Sequence, residues 1–290
     1  MYNLSQYSYV ASFVALALAA VVYASYGVAR RRTVAAGFTA DTTEQITGPR
    51  GGDMTDSLGR WGTILLFNAF AFLTGALAFR WVAAGHGPFA NMYEFSLAFV
   101  WGTLAAHLYF EFRYGLRSLA ILVLPVCLGM FAYASTVPSE IDPLVPALQN
   151  NLLLSIHVAV AIAAYGAFVL SFAAAVLFIA NRDDRFNWLP SRAMLDEVGY
   201  KAVMFAFPLL AMVVIMGAVW AKVAWGTYWS WDPKETASLV TWLIYGGYLH
   251  ARVVRGWKGQ RSAYLLIVGF GAVLFTYFGN YFLGGLHSYG

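Results

Sequence analysis

Eight predominantly apolar stretches dominate this 290-residue chain, at about 9–28, 61–79, 92–110, 118–136, 152–180, 202–223, 236–251 and 263–283. A helix crossing the ~30 Å hydrocarbon layer needs about 20 such residues. The pattern therefore predicts an all-α, polytopic integral membrane protein of about eight transmembrane helices, forming one membrane domain over 1–290. Soluble domains carry about 25% charged and about 45–50% apolar residues. Here 11% are charged and 60% hydrophobic, which excludes a soluble globular fold. The 17% aromatic content excludes disorder.

Charge decides the orientation. With the N-terminus outside, 15 of the 18 Lys and Arg residues fall on the inner side and only Arg80, Lys222 and Lys234 on the outer. Under the positive-inside rule both termini are outer, and the net charge of +4 reports topology rather than a nucleic-acid partner. The first stretch lacks a basic n-region and a small-residue cleavage site, so it reads as a retained helix. The inner segment 33–60, rich in Thr, Gly and Asp, reads as a flexible linker, and 190–199 as a short amphipathic surface helix. The single cysteine, Cys127, lies in an apolar run and reads as core, so neither an internal disulfide nor a CxxC pair exists.

The densest chemistry lies in the outer loop 220–235. Four of the ten tryptophans (Trp220, Trp225, Trp229 and Trp231) occur there, followed by Asp232-Pro-Lys-Glu235. An interfacial aromatic belt accounts for one or two of them. Four in a Gly-containing loop also suit a surface for a large planar apolar ligand, and both readings stand at this point. Asp, Pro and Glu at these spacings form a capping-box signature that starts the next helix, a structural role for Asp232 and Glu235.

The topology sorts the five histidines. His157, near the outer end of the fifth helix, and His287, after the eighth, share the depth of the Trp loop. His250 and His107 lie near inner ends, and His86 sits in a Gly-His-Gly-Pro outer loop that reads as solvated. A histidine in a membrane segment needs a partner. Two outer imidazoles beside an aromatic surface suit a bis-His haem. Arg80, Lys222 and Lys234 are the candidates for propionate contact.

Several stretches together resemble the haem-handling, WWD-domain membrane subunit of the system II cytochrome c synthase, the CcsA/ResC type. They are WGTYWSWDPKET, LLLSIHVAVAIAAYG around His157, TWLIYGGYLHAR around His250, LGGLHSYG around His287, and PFANMYEFSLAFVWG opening the third helix. The last departs from the pattern in that Phe95 separates Glu94 from Ser96. The resemblance runs from about residue 88 to the C-terminus. It implies that haem b is brought to the outer face, held at the Trp site, and presented to apocytochrome c for thioether attachment to its CxxCH motif. It implies His157 and His287 as outer axial ligands, His250 as an inner haem ligand, and Trp225, Trp229, Trp231 and Asp232 as the platform. It further implies a second membrane subunit of the ResB/CcsB kind, thiol-reducing proteins acting indirectly, a part in a holocytochrome c synthase complex, and a plasma (inner) or thylakoid membrane.

Three other readings stay open on the residues. A cytochrome b-like electron carrier would need histidine pairs at two depths. A haem-free permease would explain the helices but not the Trp and His clustering. A system I haem handler would deliver haem to a chaperone, and the DPKE ending and helix count weigh against it.

Overall fold

A computed structural model describes residues 1–39, 51–141, 144, 151–186 and 188–286. These residues form eight α-helices: α1 (Tyr2–Thr39), α2 (Gly51–Ala84), α3 (Met92–Tyr114), α4 (Ala120–Ala134), α5 (Asn151–Ala180), α6 (Arg192–Trp225), α7 (Pro233–Val254) and α8 (Gln260–Leu283). Six of them are long and apolar enough to cross a membrane; α3 and α7 are the exceptions. Both span enough, about 35 Å and 33 Å at 1.5 Å per residue. Their mean hydropathy is lowered by side chains that lie inside the bundle, such as Glu94, His107 and Glu111 in α3 and Glu235, Thr241 and Arg252 in α7. The labels outer and inner below follow the charge bias.

Two expectations are corrected. The 33–60 segment is not a linker at its ends, because 33–39 extend α1 and 51–60 begin α2; residues 40–50 lie outside the described set. Nor is 190–199 a separate surface helix. Ser191 caps the start of α6, accepting from Met194 N–H at 3.3 Å, and the helix then runs unbroken to Trp225 through Pro208. Polar residues in the first two turns of a membrane helix look like a loop in a hydropathy profile, although their backbone is helical.

In lipid, apolar burial drives helix association weakly, so packing and side-chain hydrogen bonds decide it. Antiparallel α1 and α2 are tied by Ser5 Oγ donating to Ala76 O (2.9 Å) and Ser12 Oγ to Ala69 O (2.8 Å). The central helix is α5, which packs on α3, α6 and α8. Its crossing with α3 brings backbones together: a methyl at Gly166 would stand 2.5 Å from Gly102 O, and one at Gly102 would stand 2.7 Å from Ile162 O. Only glycine permits that approach. Phe168 of α5 stacks on Tyr245 of α7 at 3.9 Å between ring centroids, and the Thr241 and Thr276 hydroxyls meet at 3.0 Å, joining α7 to α8. Cys127 is wholly buried in α4.

Ionic groups gather at helix ends, where their desolvation is easiest to offset. At the inner ends of α1–α3, Glu111 accepts from Tyr23 Oη (2.6 Å), Thr63 Oγ1 and Arg117 Nε (3.3 Å), with His107 Nε2 at 3.5 Å. At the inner ends of α6 and α7, Arg252 pairs with Asp196 at 2.7 Å. At the outer ends of α2 and α3, Arg80 pairs with Glu94 at 2.5 Å.

Candidate functional site

The outer site is built on the turn between α6 and α7. Gly226, at φ 82°, ends α6 by sending its N–H back to Lys222 O at 3.1 Å. Asp232 then starts α7 through a complete capping box: its carboxylate accepts from Lys234 N–H (2.9 Å), and Glu235 returns to the Asp232 N–H (3.2 Å). The capping geometry read from the Asp-Pro-Lys-Glu spacing is thus present.

Glu235 does more than cap. Its buried Oε2 also accepts the Ser230 N–H at 2.9 Å and the Ser230 hydroxyl at 3.2 Å. Two backbone N–H groups, one on each side of Trp231, converge on a single carboxylate oxygen. This is the arrangement of an anion-binding backbone nest. The residue pinched between them takes φ 58°, the left-handed region, and its indole is 70% exposed. For a bulky side chain that backbone costs energy. The position of Glu235 at N3 signals the cap from sequence, whereas the pinch on Trp231 has no sequence signal.

The four tryptophans form two edge-to-face pairs. Trp220 and Trp225 meet at 4.7 Å between centroids, with Trp220 buried in the helix seam. Trp229, half-buried, and Trp231, exposed, meet at 5.7 Å. Trp220 is packing, Trp231 is surface, and Trp225 and Trp229 are half-buried between them. A difference follows from the left-handed backbone. Trp231→Gly should melt a few degrees above Trp231→Ala, because alanine keeps a left-handed penalty of roughly 1–2 kcal/mol that glycine lacks. Equal melting temperatures in detergent would show that position 231 carries no strain.

His157 lies on α5, half-buried against α6, where a methyl at Gly217 would stand 3.2 Å from its Cε1. Trp220 is one turn further along α6. The imidazole therefore sits in a notch cut by Gly217, in the same seam that leads to the Trp loop. His287 lies outside the described residues, but the chain leading to it is placed. After α8, Gly284 (φ 66°) and Gly285 (φ 129°) turn the backbone, and the Leu286 N–H reaches the second oxygen of Asp232 at 2.7 Å. The segment preceding His287 is thereby tied to the start of α7, at the foot of the Trp loop.

The remaining histidines are kept apart from this site. His250 is exposed on the outward face of α7, following Gly246 and Gly247, and a methyl at Gly247 would meet nothing. His107, also near an inner end, is fully buried in α3 beside Glu111. His86 is not solvated: it is buried, its Nδ1 is 2.9 Å from Gly87 O, and the loop lies against Ser155 of α5.

The outer cations also separate. Arg80 is completely buried in its pair with Glu94, so it leaves the set of propionate candidates. Lys222 Nζ donates to Gly226 O at 2.8 Å, holding the end of α6. Lys234 Nζ stands 5.5 Å from the Phe95 ring centroid, at the entry to α3. Ser96 donates to Met92 O and meets Tyr277 Oη at 2.6 Å, joining α3 to α8. The bonding of Asp232 faces the chain: its side chain is 5% exposed and both oxygens accept backbone N–H groups.

Comparison with known proteins adds a second line. Residues 89–287 match the family described as Cytochrome C assembly protein. A Guillardia theta protein named cytochrome c biogenesis protein CcsA is 37% identical over 264 residues, covering 80% of this chain and 85% of its own. The CcsA of Synechococcus elongatus is 36% identical over 288 residues, covering 81% and 87%. Among solved structures, a cytochrome c heme lyase CcmF superposes with a TM-score of 0.57 at 20% identity, over 92% of this chain and 46% of that longer one. That likeness speaks for the fold alone.

Proposed function

Because this chain belongs to the cytochrome c assembly protein family as a CcsA-type member, we propose that its outer end holds haem b as a substrate for attachment to apocytochrome c. His157 and His287 are the axial ligands in this reading, and Trp225, Trp229 and Trp231 supply the apolar surface. One observation carries it. An exposed Trp231 and the chain segment entering His287 meet at the α6–α7 turn, and the half-buried imidazole of His157 lies in the α6 seam that leads to it.

The residues fit such a ligand. Trp231 offers an exposed flat face, and Gly217 lets the imidazole of His157 lie close against the α6 backbone. Each thioether forms when a cysteine S–H adds across a vinyl C=C, sulfur to one carbon and hydrogen to the other, without net oxidation. No strong protein base is needed. The protein's part is orientation, which raises the effective concentration of thiol and vinyl. The histidine of the incoming CxxCH can replace one protein imidazole, so that product formation loosens the grip.

His250 is the inner ligand in this reading. Its exposed position beside Gly246 and Gly247 suits a planar molecule shared with a second membrane subunit of the ResB/CcsB kind. Reductant for iron and thiols comes from other proteins, and the bilayer is a bacterial plasma or a thylakoid membrane.

The test is an absorption spectrum of the purified protein supplied with haem, alone and with its partner subunit. A low-spin bis-imidazole spectrum is expected. The double variant Trp229→Ala/Trp231→Ala should lower haem affinity about tenfold, given about 0.5–1.5 kcal/mol per aromatic contact. A wild type that stays colourless with haem and partner present would overturn the reading.

A further inference from the structure

We propose that Glu235 is a positioning residue for Trp231, holding its backbone in the left-handed conformation that presents the indole to haem. The inference rests on the haem reading of the outer site given above. It does not follow from helix capping. A capping box needs one bond from Glu235, to the Asp232 N–H at 3.2 Å. The same oxygen, Oε2, also accepts the Ser230 N–H at 2.9 Å and the Ser230 hydroxyl at 3.2 Å. The other oxygen, Oε1, is buried and has no hydrogen-bond partner among the described residues. The hydrogen bonds of this carboxylate thus go to the two residues that flank Trp231.

Trp231 is held from a third point, because the Thr236 hydroxyl donates to its carbonyl at 3.3 Å. With the N–H before it, the N–H after it and its own carbonyl fixed, only the side-chain torsions remain to place the ring. A bulky residue at φ 58° is an outlier that persists where surrounding bonds over-determine it. Without the carboxylate the backbone relaxes to negative φ. The Cα–Cβ bond then swings, and the indole leaves its place beside Trp229, 5.7 Å away between centroids. An exposed ring that is already held adds no backbone-ordering cost to haem binding.

Two variants and a mutant cycle separate positioning from capping. Glu235→Ala removes the acceptor, whereas Glu235→Gln keeps an oxygen able to accept all three bonds. In haem-free protein labelled with fluorotryptophan, the Trp231 fluorine resonance is assigned by its absence in Trp231→Phe. It should shift and broaden in Glu235→Ala and stay near the wild-type position in Glu235→Gln. With haem, Glu235→Ala should weaken binding about threefold to tenfold, the range for one aromatic contact. Glu235→Gln should bind as wild type does. Trp231→Ala should lose as much as Glu235→Ala, and the double variant Glu235→Ala/Trp231→Ala no more than either, since all three lose the same contact. A resonance that Glu235→Ala leaves in place overturns this inference alone. Losses that add in the double variant overturn it in favour of capping. So does a Glu235→Ala protein that fails to accumulate where Trp231→Ala accumulates. A wild type that binds no haem overturns the functional reading, and this inference with it.

Discussion

Replacing His157 with alanine should remove the low-spin signal of bound haem and reduce its affinity at least about tenfold to a hundredfold. Loss of outer-shell partners alone costs that much at metal sites, and this residue is the ligand in the reading proposed here. The yield of mature cytochrome c should fall in parallel. The geometry adds a sharper expectation. His157 occupies a notch opposite Gly217, so truncation leaves a gap of imidazole size against α6. Free imidazole should enter and restore the spectrum. Gly217→Val, which displaces the ring without removing it, should lower affinity by a smaller factor and resist imidazole rescue. A His157→Ala protein with an unchanged spectrum and cytochrome yield would exclude this residue as a ligand.

The second large effect is on folding. Glu94→Leu should leave little folded protein in the membrane, because it strands Arg80. That guanidinium is fully buried, 2.5 Å from Glu94 by Nε and 3.0 Å from Glu140 O by Nη2, with Tyr93 4.9 Å away. Breaking a buried pair by removing one partner costs about 3–5 kcal/mol, whereas replacing both by apolar groups is often neutral. The double variant Arg80→Met/Glu94→Leu should therefore recover most of the accumulation lost in Glu94→Leu, though not the bond from Ala90 N–H to Glu94 at 2.7 Å. Accumulation and melting temperature in detergent measure both. If Glu94→Leu accumulates normally and only haem handling suffers, Arg80 belongs to the site after all.

The Arg80 case shows why parts of the site escape a reading of the chain. From the sequence Arg80 is one of three outer cations, equally available to a propionate. Its partner is 14 residues away on another helix, so only packing reveals that the charge is already neutralised. His86 misleads in the same way, because Gly-His-Gly-Pro has the composition of a solvated turn and yet folds against α5. By contrast the cap at Asp232 is legible, since all its parts lie within four residues.

What the sequence determined by itself was the helical membrane class and the local start of α7. Each follows from interactions of short range along the chain: a run of apolar side chains sets a span, and a cap closes on its own first turn. The segment 33–60 marks the boundary of that logic, because its ends take helical form while lacking apolar periodicity. Tertiary structure alone decided which charges are neutralised, that Glu235 pinches Trp231 outward, and that one oxygen of Asp232 reaches Leu286. Those contacts join residues whose separation in sequence carries no trace of their proximity, and they form only where helix packing brings buried polar groups within reach of one another.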